Sequence, residues 1–555
     1  MESVTTGGQP ATTPIARPLG LGDRLSAQQK LLLVGALMGL VYCVGIVLPY
    51  PLAFGLANPR ATWVLRGEGS LPTLALQIGV YLLLTLLYVT GLHLLRGLRT
   101  EQGRRWQVAV IGLSWALCSG LLLLAAPNGE SHDIYDYVFR GRMIDRFEAS
   151  PLLTTPNAYP HAPFYRYVAW KKHVDTYGPL WEYASAATAG SVRAVLTWTG
   201  TFHEQLPSCP QGAASCRTLA AYLTGYRLLA IFLTGGTAFL LYRIVQSIQS
   251  ASAPLALALW LWNPLLLIST ALGAHNDALM IFCFMLSFWC WQRGRWWGGW
   301  LAFGLATQVK LTALLLVPAL GLWLVRQVGW WRAFGISLLA GGIILGLSWV
   351  LYAPLGGWAT LPRMFYERQL FVANSLAQIL YFVLYKWSGW PYGLVWQMMV
   401  GWSTLLFLPV AALLLLRTFF RANDPATARQ WTTRLPDLAR TCTLITLLYL
   451  LVGSFWFQPW YFVWVLAPAA LWVDGRFPRQ GLPWACFGAL CSNVIYDHLT
   501  QLPLAAVPEA HLYRVGVTVL VVTAIWLPLF IRQLGSGFTL FRPNYRCSEK
   551  DPWHT

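Results

Sequence analysis

The sequence predicts an all-α protein whose helices cross a membrane many times. Three observations carry this. Hydrophobic residues fill 56% of the 555 positions and charged residues only 11%, where a soluble domain has about 25% charged. Apolar runs near the roughly 20 residues that a helix needs to cross a bilayer recur along almost the whole chain. No segment shows the period-two alternation of a membrane barrel.

In chain order, crossings are predicted near 31–50, 71–95, 107–127, 219–242, 254–272, 277–292, 333–353, 393–416, 441–457, 459–473, 483–498 and 512–531, about 12 in all. Segments 180–198 and 371–387 are interrupted by polar residues and read as interfacial or re-entrant helices. Segment 298–325 is too long for one straight helix and carries Lys310 in its middle, so a broken pair returning to its starting side is expected. Residues 1–29 are polar and rich in Pro, Thr and Gly, and read as a disordered tail. No cleavable leader precedes 31–50, which is expected to stay as an anchor.

The net charge is +18. A basic balance suggests nucleic acid first, but these charges sit in short loops between apolar segments, the pattern that sets membrane orientation. Arg96, Arg99, Arg104 and Arg105 fill one loop and Arg293 and Arg295 another. Arg417, Arg421, Arg429, Arg434 and Arg440 fill a third, and Arg532, Arg542, Arg546 and Lys550 lie in the tail. The predicted crossings bring all four regions to one side, which should be cytoplasmic together with both termini. The loop 128–217, His275-Asn276-Asp277 and Gln458-Pro459-Trp460-Tyr461 then share the outer side. The 30 Trp and 24 Tyr, many near segment ends, suit an interfacial belt. Most of the ten cysteines lie in apolar segments. Cys209 and Cys216 share a polar loop and form either a disulfide or two thiols.

Chemistry concentrates at four places. Gly273-Ala274-His275-Asn276-Asp277 sets ionisable groups between two apolar helices, where they are costly and usually functional. The start of the second helix offers free N–H groups to an anion; Asn276 or Asp277 as a plain N-cap is the alternative, but it leaves His275 beside it unexplained. Ser131-His132-Asp133-Ile134-Tyr135-Asp136-Tyr137 opens the outer loop, and its carboxylates share one helical face. Asp133 is either a general base for a hydroxyl or a helix cap. With His132 the pair also invites a hard divalent cation, but no EF-hand or His-x-x-x-His spacing accompanies it, so no cofactor is expected. Lys310 in Ala306-Thr307-Gln308-Val309-Lys310 would cost about 2.5–3.5 kcal/mol at a helix centre, and reads as facing a polar cavity with an anionic partner. Phe457-Gln458-Pro459-Trp460-Tyr461 is an aromatic belt or a sugar-stacking wall, and Tyr177-Gly178-Pro179-Leu180 is a turn.

These stretches together resemble the C-type glycosyltransferases, and are most similar to bacterial polyprenol-phosphate-mannose-dependent α-mannosyltransferases. The likeness rests on Asp133-Ile134-Tyr135-Asp136-Tyr137 with Gly141-Arg142, Ser150-Pro151, Tyr177-Gly178-Pro179-Leu180, Gly273-Ala274-His275-Asn276-Asp277, Val309-Lys310-Leu311-Thr312 with Pro318, and Pro459-Trp460-Tyr461. They occur in the family's order over roughly 110–475. Ser150-Pro151-Leu152 departs from it by lacking the family's aromatic residue.

The resemblance implies one membrane glycosyltransferase domain over 30–540, with the large outer loop 128–217 and a cytoplasmic tail 541–555. It implies an inverting transfer of a sugar, most simply mannose, from a polyprenyl phosphate to a glycan or lipid-linked hydroxyl at the outer face of the cell membrane, with no nucleic acid involved. Asp133 matches the catalytic base, with Asp136 the runner-up. Lys310, His275 and Arg142 are expected to hold the donor phosphate, and Asn276, Asp277, Tyr137, Tyr177, Trp460 and Tyr461 the substrates. The alternative is a polytopic transporter or lipid flippase, which would also keep ionisable groups at depth; no second copy of the Asp133 or His275 stretch appears, as paired transporter repeats would require.

Overall fold

The computed structural model describes residues 26–57, 71–98, 103–127, 131–204, 214–369, 371–421, 431–500 and 511–535. Among them every regular element is helical, and extended pairing is limited to the isolated bridges Pro51 with Ala125 and Ala373 with Trp456. The all-α fold read from composition is the fold observed. Nine of the described helices are long and apolar enough to cross a bilayer, or ten when the bent pair Ser250–Leu261 and Pro264–Leu272 counts as one span. The expectation of about 12 also included Asp277–Gln292 and Pro459–Leu471, which are apolar but short. It included Leu482–Thr500 as well, whose last turns carry Asn493, Asp497 and His498.

The first helix starts at Ala27, inside the stretch read as a tail. Ser26 and Gln29 form a reciprocal cap there, satisfying two backbone donors at once. Residues 1–25 and 541–555, Arg99, Arg429, Arg542, Arg546, Lys550 and Cys209 lie outside the described residues, and the Cys209–Cys216 alternative with them. Helices Trp330–Tyr352 and Tyr392–Arg421 expose large apolar side chains such as Leu338, Trp349, Leu405 and Leu413, as a lipid-facing surface would.

Two breaks in the helical framework position the site. The first is at Asn263-Pro264, where the chain bends by 52°. Pro264 has no N–H and bars helical geometry from the residue before it. The Asn263 side chain accepts the amides of Leu265 and Leu266 and restarts the helix. That helix ends at Leu272, and Ala274 adopts a left-handed φ of 52°. The conformation costs an L-residue about 1–2 kcal/mol, and it turns the chain sharply into His275. Arg227, fully buried, donates to the carbonyls of Leu272, Leu123 and Ala125 at 2.9, 3.0 and 3.0 Å. It thereby satisfies helix-end acceptors that would otherwise be orphaned in an apolar interior.

The second break lies in 298–325, where a break was expected, but its second half, Leu311–Val328, is by itself long and apolar enough to cross a bilayer rather than half of a returning pair. Helix Trp296–Thr307 stops, Lys310 is extended at φ −144° and ψ 128°, and a tight turn Leu311–Leu316 leads into helix Val317–Val328. Pro318 sits in that helix's first turn, where a missing N–H costs nothing. The break frees the carbonyls of Gln308 and Val309, and these accept the amides of Leu180 and Gly178 at 3.0 and 2.9 Å. A Cβ on Gly178 would stand 2.1 Å from the Gln308 oxygen, so only glycine fits. The turn at 177–180 is thus docked on the break that carries Lys310.

Candidate active site

Helix Asp133–Phe147 begins with Ser131 Oγ accepting the Asp133 amide at 3.0 Å, and both Asp133 and Asp136 lie in its first turn. Carboxylates are favoured at that end of a helix. Gly141 lets the helix approach its neighbours, because a Cβ there would meet the Tyr226 hydroxyl and Ser185. Tyr226 donates to the Tyr137 and Ser185 carbonyls and fixes the packing with helix Pro179–Trp198.

The two carboxylates differ in what they hold. Asp136 is buried, and its oxygens accept the amides of Ala169 and Trp170 at 3.0 and 3.1 Å. Burial pushes its pKa up to about 7, against the nearby Arg140 and those two amides, which favour the charged form. Asp133 accepts the Trp170 indole N–H at 3.0 Å through one oxygen, while the other lies 3.9 Å from His275 Nδ1. Both line a cavity of about 400 Å³. Among the described residues, no group of three or more His, Cys, Asp and Glu side chains is set to hold a metal ion.

His275 stacks on Trp460, with centroids 3.7 Å apart, and its Nδ1 lies 3.4 Å from the Tyr137 hydroxyl. Tyr137 in turn meets Tyr177 edge-on at 5.9 Å. Asp277 accepts Lys310 Nζ through both oxygens, at 2.7 and 2.8 Å, and also the Trp464 indole N–H. The rings of Tyr177, Tyr461 and Trp464 surround Lys310 Nζ at 5.1, 5.2 and 5.5 Å. Asn276 is 1% exposed, and neither polar atom of its amide has a partner among the described residues. Such a group costs about 1–3 kcal/mol until something meets it.

The stretches singled out in the sequence therefore converge, with Asp133, Tyr137, Tyr177, Trp460 and Tyr461 on the walls of one cavity. Lys310 lines a second cavity of about 360 Å³, which shares Thr176, Arg368, Phe371, Trp456 and Tyr461 with the first. Arg142 stands apart. It pairs with Glu204 at 3.0 Å, donates to the Pro163 carbonyl at 2.7 Å and lies over Phe164, lining neither cavity. Nine positions at about 100° each carry it to the far side of the helix from Asp133.

Sequence reasoning passed over Arg368, Trp170, Asn374 and Asp497. Arg368 lies near the end of helix Thr360–Gln369 and lines both cavities together with Tyr461. Its neighbour Glu367 ties that helix to the loop before Gly178 through His173 Nδ1 at 2.8 Å. The available signal was a Glu-Arg pair closing a polar stretch between two long apolar segments.

No curated protein matches the chain. Residues 33–326, just over half of it, match the family described as alpha-(1->6)-mannopyranosyltransferase, N-terminal domain, a span that includes Asp133, His275 and Lys310. The chain, a multi-helix protein of membrane composition, therefore belongs to the alpha-(1->6)-mannopyranosyltransferase family.

Proposed function

We propose that the protein transfers mannose from a polyprenyl-phosphate donor to a hydroxyl of a glycan or lipid-linked acceptor, with inversion, at the outer membrane-water boundary. The observation that carries this reading is the position of Asp133, which lines a cavity and lies 3.9 Å from His275, beside a second cavity lined by Lys310.

In this mechanism the acceptor hydroxyl enters the Asp133 cavity and the donor phosphate lies on the Lys310 side. Asp133 takes the hydroxyl proton as the oxygen attacks C1 of the sugar. The bond between C1 and the phosphate oxygen breaks, and polyprenyl phosphate leaves with the electron pair. Phosphate leaves readily, so one base suffices, whereas a glycosidase needs a second carboxyl group to protonate its leaving group. Asp136 is a poorer base, since both its oxygens already hold backbone amides.

Lys310 is matched by Asp277, so that pair adds no net charge for the phosphate. Arg368, at the junction of the two cavities and with no carboxylate paired to it among the described residues, supplies it. A guanidinium grips phosphate oxygens in pairs. His275, flat against the cavity-lining Trp460 and 3.9 Å from Asp133, positions those two groups from behind the cavity wall.

The test is reconstitution of the full chain with polyprenyl-phosphate mannose and a short α-mannoside, with mass spectrometry of the product. A product longer by one hexose supports the proposal. No product, with passage of donor lipid across the bilayer, would favour the flippase alternative.

A further inference from the structure

The cavity that holds Asp133 has polar groups which the mechanism above does not use. Asn374, Asn493 and Asp497 line it, together with the rings of Trp170, Phe371 and Trp456. Asn374 is 5% exposed and has a left-handed φ of 52°, unusual for a non-glycine residue. Its backbone is clamped there. Ala373 exchanges hydrogen bonds with Phe455 and Phe457 at 3.0 and 2.9 Å, and the Asn374 amide donates to Gln378 Oε1. The Asn374 side-chain N–H donates to Asn493 Oδ1 at 3.2 Å, but its own oxygen is buried without a partner among the described residues. Asp497, one helical turn beyond Asn493, has no side-chain donor or cation bonded to it among the described residues. Fixed and unsatisfied polar groups on a cavity wall are what a polar ligand repays.

The rings supply the other half of a sugar site. Trp170, Phe371 and Trp456 meet one another edge-on, with centroids 5.1 to 5.9 Å apart. Trp170 is also the residue whose indole N–H bonds Asp133. An aromatic wall suits the C–H face of a pyranose, and a carboxylate accepts from two neighbouring hydroxyls. The same carboxylate repels a phosphate, which argues against donor binding at this end.

Building on the proposed function, we infer that Asp497, Asn374 and Asn493 form the acceptor subsite, reading the hydroxyls of a hexose whose face lies on the Trp170–Trp456 wall. Trp170 then joins recognition to chemistry, because the ring under the acceptor also orients the base.

The test uses full-length protein in lipid nanodiscs, an α-mannotrioside and its monodeoxy analogues. Wild-type, Asp497→Asn and Asn374→Gly are compared, the glycine keeping the left-handed backbone at 374. Both variants should raise the acceptor KM about tenfold or more, as expected for one lost hydrogen bond to a charged or buried group, with donor KM nearly unmoved. One deoxy analogue should be equally poor for wild-type and Asp497→Asn, because the hydroxyl that Asp497 reads is already gone. If Asp497→Asn lowers turnover by the same factor on every analogue, or leaves acceptor KM unchanged, the subsite is wrong. Titration calorimetry of the trioside separates the two levels. Binding that depends on Asp497, without any transfer, would overturn the proposed function and leave the subsite standing. Transfer with binding indifferent to Asp497 would do the reverse.

Discussion

Lys310 and Asp277 share two hydrogen bonds of 2.7 and 2.8 Å, with both side chains buried among aromatic rings. Removing either partner strands the other charge, a loss of about 3–5 kcal/mol for a buried pair. Lys310→Ala and Asp277→Ala should each lower the thermal midpoint sharply, whereas Lys310→Met with Asp277→Leu should recover much of it. A double variant as unstable as the sum of the two singles would disprove the coupling.

Asp133→Asn keeps an oxygen for the Trp170 indole but cannot take a proton. Transfer should fall by about 10²–10⁴-fold, the usual contribution of a general base. Donor affinity, measured by equilibrium binding of the lipid phosphate sugar, should stay near wild type. Near-normal turnover in this variant would place the base elsewhere.

Asp136 makes the opposite prediction. Its carboxyl group is raised from 3.8 to about 7 in the folded protein. A group that binds its proton more tightly when folded stabilises at low pH, and that stability is lost as pH rises from about 4 through 7. Glu182, buried beside Asp175 and Arg140, is pushed up in the same direction and shares the slope. Asp136→Asn should flatten this part of the pH profile of unfolding without removing it. It should also cost about 1–3 kcal/mol, because one of the two backbone amides loses its acceptor. An unchanged slope would mean that Asp136 ionises normally.

Arg368 should affect the donor alone. Arg368→Gln should raise the donor KM about tenfold or more, the scale of one charge-assisted hydrogen bond. Arg368→Lys should recover only part of this, since an ammonium lacks the planar fork. Steady-state kinetics with donor varied at saturating acceptor would decide. A change confined to the acceptor KM would remove Arg368 from the phosphate role.

What the sequence revealed depended on contrast with its surroundings. His275, Asp277 and Lys310 stood out because ionisable groups are conspicuous inside apolar runs, and the break at Lys310 was legible from length alone. Arg368 and Asp497 were not, since each sits at the polar end of a helix where a charge is unremarkable. Their significance comes from folding, which brings both to a cavity wall with Asp133. Arg142 entered through the Gly141-Arg142 likeness, which carries no sign that the helical repeat turns its side chain toward Glu204. Trp170 looked like one more ring in an aromatic-rich chain, and nothing local marks its indole as the ligand of Asp133.

The contact at Gly178 ties the long loop before it to the helical framework through main-chain bonds rather than interchangeable side chains. Such a joint has no preference for one loop sequence over another, yet it tolerates no added atom. Grafting a foreign loop into this framework should succeed only when the transplant brings its own glycine in register, and a chimera cut between 178 and 308 should lose both halves of the site together.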